Sequence, residues 1–162
     1  MSPRYDVPKA APEPLRQVQQ FLNSVDLERG EDWLPDWLYE RGLAGELERA
    51  QELRHALRSL AIANNGVAPE AGAVAVVNAA AARLRLEVDA GGRVRIVGGD
   101  ELDAILACAF GAMLDGSWRR LKACRNCHWS FYDYSPNRSA TWCSMQLCGN
   151  RAKTRAYRRR QR

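Results

Sequence analysis

The chain is organised around residues 124–151, which read CRNCHWSFYDYSPNRSATWCSMQLCGNR. This stretch holds two close pairs of cysteines in the pattern C-x2-C-x15-C-x4-C, and they are Cys124, Cys127, Cys143 and Cys148. Thiolates in two close pairs are the ligands that Zn²⁺ takes in closed, four-coordinate structural sites. The pattern therefore predicts one structural zinc ion. A catalytic zinc is disfavoured because four cysteines leave no open position for water or substrate.

Two alternatives to four zinc-bound cysteines remain open. Disulfides would need an oxidising compartment, but no charged-then-apolar leader opens the chain, and 162 residues exceed the size of a disulfide miniprotein. His128 follows Cys127 directly. It could replace one cysteine as a zinc ligand if the four-residue spacing between Cys143 and Cys148 did not allow both to bind the ion. We favour the four cysteines because they already complete a tetrahedral shell.

The formal net charge of +5 conceals a strong asymmetry along the chain. Residues 1–118 carry 12 Lys and Arg against 18 Asp and Glu, a balance of −6. Residues 119–162 carry 12 Lys and Arg against one acid, Asp133, a balance of +11. A basic segment of this strength, attached to a metal-ordered module, indicates a polyanion as its partner. The alternative is a charged tail that is simply solvated.

The composition is that of an ordinary soluble protein, with 46% hydrophobic and 27% charged residues. No apolar run approaches the roughly 18 residues of a membrane-spanning helix, so we expect no membrane association. Four of the five cysteines belong to the metal pattern, which indicates a reducing compartment. We therefore expect the protein in the cytoplasm.

Residues 1–14 contain four prolines and are predicted to form a flexible or extended leader. Residues 15–118 are predicted to form one domain that is large enough to bury its own core. Apolar residues recur there at helical spacing. The first predicted helix runs from Leu15 through Val25 and ends near Gly30. A short second helix covers Trp33–Leu38 and stops at Gly42. A long third helix covers Leu43–Asn65, and a fourth begins at Pro69 and runs to about Ala82. In the long helix, Arg58 is expected on a face other than the apolar one.

The hydrophobic period changes to alternation after the fourth predicted helix. Leu84–Val88 and Val94–Ile96, joined by residues 89–92, are predicted to form a hairpin with one apolar and one charged face. Asp100 is predicted to cap a last helix. Cys108, within that helix, is expected to be a buried thiol.

Residues 119–162 are predicted to form a finger that cannot bury enough apolar surface alone, so that zinc supplies the missing folding free energy. A short hairpin is expected between the two cysteine pairs, with its turn at Ser135-Pro136-Asn137. Cys148 is expected to lead into a helix over residues 150–161. The aromatic residues expected to shield the sulfurs are Trp129, Phe131, Tyr132, Tyr134 and Trp142.

The predicted fold class is therefore α+β. A mainly helical N-terminal domain with a small β-hairpin is followed by a treble-clef-like zinc finger that ends in a basic helix. Such a helix can lie against a DNA duplex, with arginines on phosphates and one or two at base edges in the major groove. Arginine suits this role because its planar fork binds phosphate or guanine with two hydrogen bonds. The candidate DNA-binding residues are Arg138, Arg151, Lys153, Arg155, Arg158, Arg159 and Arg160.

Cys148-Gly149-Asn150-Arg151 is the tetrapeptide that names the CGNR zinc-finger family, and the C-terminal segment resembles that family. Trp142-Cys143-Ser144-Met145 and Phe131-Tyr132-Asp133 also match its pattern. One departure is Ala140-Thr141, where the family often has a basic pair, so one phosphate or base contact of the family is missing here. Residues 15–118 are similar to the ABATE domain that usually accompanies this finger, most clearly at Phe21–Asp26.

The resemblance implies a mainly bacterial, stress-related transcriptional regulator that binds DNA. The finger would contact DNA, and the N-terminal domain would act as a sensor or dimerisation unit. Because a single finger reaches only a few base pairs, a homodimer or a protein partner is expected.

Two other classes of function stay open at this stage. A protein-interaction module could dock on RNA polymerase or another transcription factor through Trp129, Tyr132 and Trp142, if these are exposed. An enzyme is not expected, since the sequence has no nucleophile elbow, phosphate loop or diagnostic carboxylate pair. Asn23 and Arg54 are candidates to line a small-ligand pocket between helices, although buried polar residues more often make structural hydrogen bonds.

Overall fold

The computed structural model describes residues 9–161. The first four helices and two strands are α1 (Leu15–Leu22), β1 (Val25–Asp26), β2 (Glu31–Asp32), α2 (Leu34–Tyr39), α3 (Leu47–Ala63) and α4 (Ala73–Ala81). The remaining elements are β3 (Arg85–Val88), β4 (Val94–Val97), α5 (Glu101–Asp115), β5 (Leu121–Ala123), β6 (Ser130–Tyr132) and α6 (Asn150–Arg160). Short 3₁₀ turns precede α3 and β5, and a π-helical turn at Met145–Gly149 leads into α6. The strands pair in sequence order as three antiparallel hairpins. The predicted α+β class is confirmed.

The main core lies where α1, α3 and α5 pack together. Phe21 of α1, Leu57 of α3, and Leu102 and Leu106 of α5 are fully buried there. Phe21 also contacts Trp37, with the ring centroids 5.5 Å apart. Four residues from the start of the C-terminal segment join the same core, and they are Trp118, Leu121, Ala123 and Tyr132. The first strands of the finger are thus anchored on the helical core.

The described part of the predicted leader, residues 9–14, makes hydrogen bonds to β6 and α1. Lys9 accepts a hydrogen bond from the Tyr132 amide at 2.8 Å. The Ala11 amide donates to Gln19 Oε1 at 2.6 Å, and the Ala11 side chain is buried. Residues 1–8 of the leader lie outside the described residues. The domain boundaries predicted at residues 14 and 118 stay predictions.

Helix α1 ends at Leu22, so the prediction that it continues to Gly30 was wrong. The chain instead forms the small β1–β2 hairpin, with Val25 opposite Asp32. Two features favour the turn. The Asp26 carboxylate accepts from the backbone amide of Glu28 at 3.0 Å, and Gly30 adopts a φ of 71°, which glycine tolerates without strain.

The predicted start of the fourth helix at Pro69 was also wrong, because α4 begins at Ala73. The Glu70 amide donates to Ser59 Oγ at 2.6 Å, which ties this segment to α3. Gly72 then turns the chain with a φ of 88° directly before the helix. Pro69 therefore lies in the connection and does not open the helix.

Arg58 is buried, so its predicted position on a polar face of the long helix was wrong. Its guanidinium donates to the Leu22 carbonyl, which is one of the carbonyls that the end of α1 leaves free. Burial, together with the positive charge of Arg54, lowers the pKa of Arg58 to about 10. Cys108 is half-buried and not fully buried as expected.

The prediction that Asp100 caps α5 is confirmed, since its carboxylate accepts from the Asp103 amide at 2.9 Å. Arg49 also donates to both Asp100 oxygens, at 2.7 and 3.0 Å. The hydrogen bond from Arg49 is the largest cause that lowers the pKa of Asp100 to about 2. The charged cap thus joins α3 to the start of α5.

Asp100→Asn is expected to lower stability in a pH-dependent way, because asparagine keeps the cap but loses the ion pair. Since the folded pKa lies below the unfolded value, the carboxylate stabilises the protein above pH about 4, and this contribution is lost as the pH falls towards 2. The gap in free energy of unfolding should be about 1 to 2 kcal/mol at pH 7, given partial solvent screening. Urea unfolding at several pH values measures it. A gap that stays constant down to pH 2 would contradict this assignment.

Candidate metal centre and nucleic-acid interface

Four buried cysteine sulfurs converge beside the start of α6, and with Trp129 and Phe131 they form a second, smaller core. Cys124 follows β5, Cys127 precedes β6, Cys143 lies in the long loop, and Cys148 lies in the π-helical turn. All four Sγ atoms lie within 4.8 Å of one another. The separations are 3.6 Å for Cys127–Cys143, 3.7 Å for Cys143–Cys148 and 3.6 Å for Cys148–Cys127.

These separations fit a tetrahedral zinc ion. With Zn–S bonds of about 2.3 Å, the edges of an ideal tetrahedron measure roughly 3.8 Å. In the part of the chain that the structure describes, this quartet is the one group of three or more His, Cys, Asp or Glu that could hold a metal. His128 is exposed and does not belong to the group, so the structure gives no support to histidine ligation.

The close sulfurs shift one another's pKa values in opposite directions. Hydrogen bonds from Cys127 and Cys143 lower the pKa of Cys124 far below its usual range. The hydrogen bond to Cys124 raises the pKa of Cys127 to about 12, and the pKa of Cys143 is raised still further by hydrogen bonds to Cys124 and Cys127. Crowded like charges cannot all ionise without compensation. A divalent metal would supply that compensation and allow all sulfurs to become thiolates.

The hairpin of the finger encloses the first cysteine pair, so the prediction that it lies between the two pairs was wrong. Residues 135–138 do form a turn, in which the Arg138 amide donates to the Ser135 carbonyl at 3.2 Å, but this turn does not join the two strands. Strands β5 and β6 pair directly, with Leu121 opposite Tyr132 and Ala123 opposite Ser130. The Cys124–Cys127 segment therefore forms the connection between them. It is closed by a hydrogen bond from the His128 amide to the Cys124 carbonyl at 2.9 Å, with His128 at a φ of 60°.

The aromatic residues divide between three environments, where one small core was expected. Trp129, Phe131 and Trp142 pack with the cysteines, as predicted. Tyr132 belongs to the main helical core. Tyr134 is exposed and donates from its hydroxyl to the Ala10 carbonyl at 2.7 Å. Because Trp129 and Tyr132 are buried, these two are not available as anchors for a protein partner.

Helix α6 presents its basic residues to solvent. It has no buried residue, and the exposed candidates on it are Arg151, Lys153, Arg155, Arg158, Arg159 and Arg160. Arg151 forms an ion pair with Glu28, and Arg155 donates to Asn126 Oδ1. Arg138 is exposed too, but it lies in the loop after β6 with a φ of 51°. The structure therefore places most of the predicted contact residues on one protruding helix.

Two protein-family models match the chain. The CGNR zinc finger matches residues 120–161. ABATE, described as "Putative stress-induced transcription regulator", matches residues 15–116. The chain belongs to the ABATE family and carries a CGNR zinc finger. A comparison with curated proteins finds no match.

Family membership agrees with the resemblance read from the sequence, in both domains and in their order. Both family descriptions name regulator or zinc-finger types, and neither names an enzyme. The four converging cysteines support a zinc-binding site in this ABATE-family protein. Among the described residues, no helix is long and apolar enough to cross a lipid bilayer.

A buried ion pair that sequence reasoning missed organises the loop between the cysteine pairs of this ABATE-family protein. Lys122 Nζ lies 2.8 Å from Asp133 Oδ2, and both side chains are buried. Lys122 also donates to the carbonyls of Arg138 and Ala140, at 2.6 and 3.0 Å. Asp133 accepts from the Ser135 amide at 2.9 Å.

The pKa of Asp133 reflects this environment. Burial alone would raise it, but hydrogen bonds from Lys122 and Ser135 outweigh burial and lower the pKa to about 2. The available sequence signal was that Asp133 is the one acid in residues 119–162. The Lys122–Asp133 pair fixes the loop that carries Arg138. It therefore supports the candidate interface from inside the protein.

Asn23 joins α1 to the finger through hydrogen bonds to β6, which favours a structural role over the predicted ligand contact. Its side chain is buried, accepts from the Ser130 amide at 2.8 Å and donates to the Ser130 carbonyl at 2.9 Å. Gln19 donates to the same carbonyl at 3.1 Å. The backbone of β6 is thus satisfied by side chains of α1.

The end of α3 holds the other side of the finger. Asn64 Nδ2 donates to the Leu121 carbonyl at 2.8 Å. Asn65 Nδ2 donates to the carbonyls of Ala123 and Thr141, both at 2.9 Å. These residues therefore connect the helical core to the two segments that lead into Cys124 and Cys143.

Arg54 is likewise committed to protein partners. Its guanidinium donates to both carboxylate oxygens of Asp32, at 2.7 and 2.6 Å, and to Ser24 Oγ at 2.9 Å. Burial would raise the pKa of Asp32, but the hydrogen bond from Arg54 helps to lower it below its usual value. The arrangement fixes the β1–β2 hairpin on α3, and the structure favours a structural role over the predicted ligand contact.

Proposed function

We propose that this protein is a DNA-binding transcriptional regulator of the cytoplasm. Cys124, Cys127, Cys143 and Cys148 hold one structural zinc ion, and the ion orders the finger. The finger contacts DNA through α6, while the N-terminal domain acts as a sensor or dimerisation unit. The observation that carries the proposal is a helix with no buried residue and a dense basic surface, which follows directly from a metal-ligand turn.

The electrostatics support a nucleic acid as partner. Four thiolates and Zn²⁺ carry a formal charge of about −2, while residues 119–162 carry 12 Lys and Arg against one acid. The arginines therefore exceed what the cluster needs for neutralisation. Among the described residues, Arg158, Arg159 and Arg160 in the last turn of α6 form no ion pair that competes with phosphate, while Arg151 is partly engaged by Glu28. Contacts to phosphate would release counterions and make binding depend steeply on salt.

The triple variant Arg155→Ala, Arg158→Ala, Arg159→Ala is expected to bind genomic DNA fragments about 100-fold more weakly at low salt. This follows from three lost charged contacts at roughly 1 kcal/mol each. The slope of log K against log salt should become shallower by up to about 2.7. Fluorescence anisotropy of the zinc-loaded protein measures both quantities.

A matched control is Arg29→Ala, Arg93→Ala, Arg95→Ala, which removes the same charge from exposed positions outside the finger. It should bind nearly as well as the parent. If the α6 variant binds like the parent, or if both variants weaken binding equally, α6 is not the DNA-contacting element.

A protein partner such as RNA polymerase or another transcription factor remains the second candidate, and one observation favours it. Met145 and Leu147 are exposed on the turn before α6. Exposed apolar residues beside a basic helix can anchor a protein partner. A stable partner recovered after nuclease treatment, and lost on Leu147→Ser, would favour this candidate over DNA.

A further inference from the structure

The β3–β4 hairpin turns its apolar face to solvent. Leu86 pairs with Ile96 across the strands, and Val88 pairs with Val94. Side chains alternate along a strand, so these four lie on one face. Leu86, Val88 and Val94 are 69%, 68% and 62% exposed. A two-faced sheet normally packs its apolar side on a core, but of these four residues only Ile96 is even half-buried.

The end of α5 extends this surface. Phe110, Met113 and Leu114 line a groove of about 340 Å³ together with Leu86 and Ile96 of the hairpin. Leu114 is 82% exposed. Hairpin and helix thus form one contiguous apolar surface, which differs from the singly scattered hydrophobic residues of ordinary surfaces.

The charges beside this surface are already paired within the hairpin. Arg85 and Arg95 lie 3.0 and 4.0 Å from Glu87, and Arg93 lies 3.4 Å from Asp89. These five residues sum to a formal +1, in contrast to the strongly basic finger. A polyanion would therefore gain little here, while two identical surfaces can meet without strong repulsion.

We propose that this apolar surface is where a second copy of the chain docks to form a symmetric dimer. An aliphatic side chain buries roughly 60 to 120 Å² when fully covered, so five of them supply about 300 to 600 Å² per copy. The total of roughly 600 to 1,200 Å² for two copies reaches only the lower limit for a specific interface, which suits a weak, reversible dimer. In a two-fold dimer the same patch meets itself.

This inference rests on the proposed function only for the role of the dimer, which is to bring two basic helices to one DNA site. The interface itself can be tested without DNA, so failure of one proposal leaves the other standing.

The test compares Val88→Lys with Val74→Lys, a matched control on α4 where the valine is 53% exposed outside the groove. Sedimentation velocity of the zinc-loaded full chain is run from about 1 to about 100 µM. The parent and Val74→Lys should shift from monomer to dimer over this range. Val88→Lys should raise the dimer dissociation constant at least about tenfold.

Leu114→Lys serves as a second variant, because its side chain is almost free and its change should leave folding intact. Unchanged zinc content and thermal unfolding show that each variant is folded. Loss of the dimer in both Val88→Lys and Leu114→Lys supports the proposal. A parent that stays monomeric, variants of the apolar surface that dimerise like the parent, or a control that fails equally would overturn it.

Discussion

Removal of zinc is expected to unfold the finger while the N-terminal helices remain folded. Structural zinc in small fingers contributes roughly 10 to 16 kcal/mol of apparent binding free energy at neutral pH. Without the ion, the buried sulfurs lose their common partner. Helix α6 has no buried residue to hold it in place, and an isolated helix of this length is marginal in water. The main core keeps Phe21, Leu57 and Leu102 regardless of the metal.

Cys148→Ser and chelation of the parent should therefore give the same result. The helical circular dichroism of α6 and the amide protection of its backbone are lost, and the environment of Trp129 and Trp142 becomes more solvated. Cys108→Ser is the matched control, since this cysteine lies outside the quartet. It should retain zinc and the full helical signal. A chelated protein that keeps α6 protected from exchange would contradict this view of the finger.

Asp133→Ala is expected to destabilise the protein by about 3 to 5 kcal/mol, because it leaves the Lys122 ammonium buried without its counter-charge. The loop that carries Arg138 and Ala140 should lose order with it, since both of their carbonyls accept from Lys122. The folded pKa of Asp133 is about 2. Its stabilisation is therefore present above pH about 4 and is lost as the pH falls towards 2.

Urea unfolding of zinc-loaded protein measures this effect. Asp89→Ala is the matched control because it breaks an exposed ion pair with Arg93, which should cost no more than about 1 kcal/mol. Equal costs for the two variants would show that the Lys122–Asp133 pair is energetically no different from a surface pair.

The features that the sequence predicts well are local in the chain. The cysteine spacing predicted the convergence of the four sulfurs, because ligands in close pairs leave few other arrangements. Asp100 was identified as a cap because the capping hydrogen bond joins it to Asp103, only three residues along the chain. The β3–β4 hairpin follows from alternation over two short segments.

The features that sequence reasoning missed depend on partners far along the chain. Asn23 meets Ser130 across more than a hundred residues, and the pattern of α1 alone contains no sign of it. Lys122 and Asp133 entered the sequence analysis through the charge balance of residues 119–162, whereas the fold buries them against each other. The sequence predicted the apolar face of the β3–β4 hairpin but not its exposure to solvent. Exposure depends on which surfaces the rest of the chain covers.

The most direct test of the central claim, that a sulfur-held zinc ion shapes the basic finger, is X-ray absorption at the zinc edge on the purified protein. The account predicts one zinc per chain with a shell of four sulfurs at about 2.3 Å. A protein that purifies without zinc, or a shell that contains nitrogen or oxygen in place of a sulfur, would contradict it.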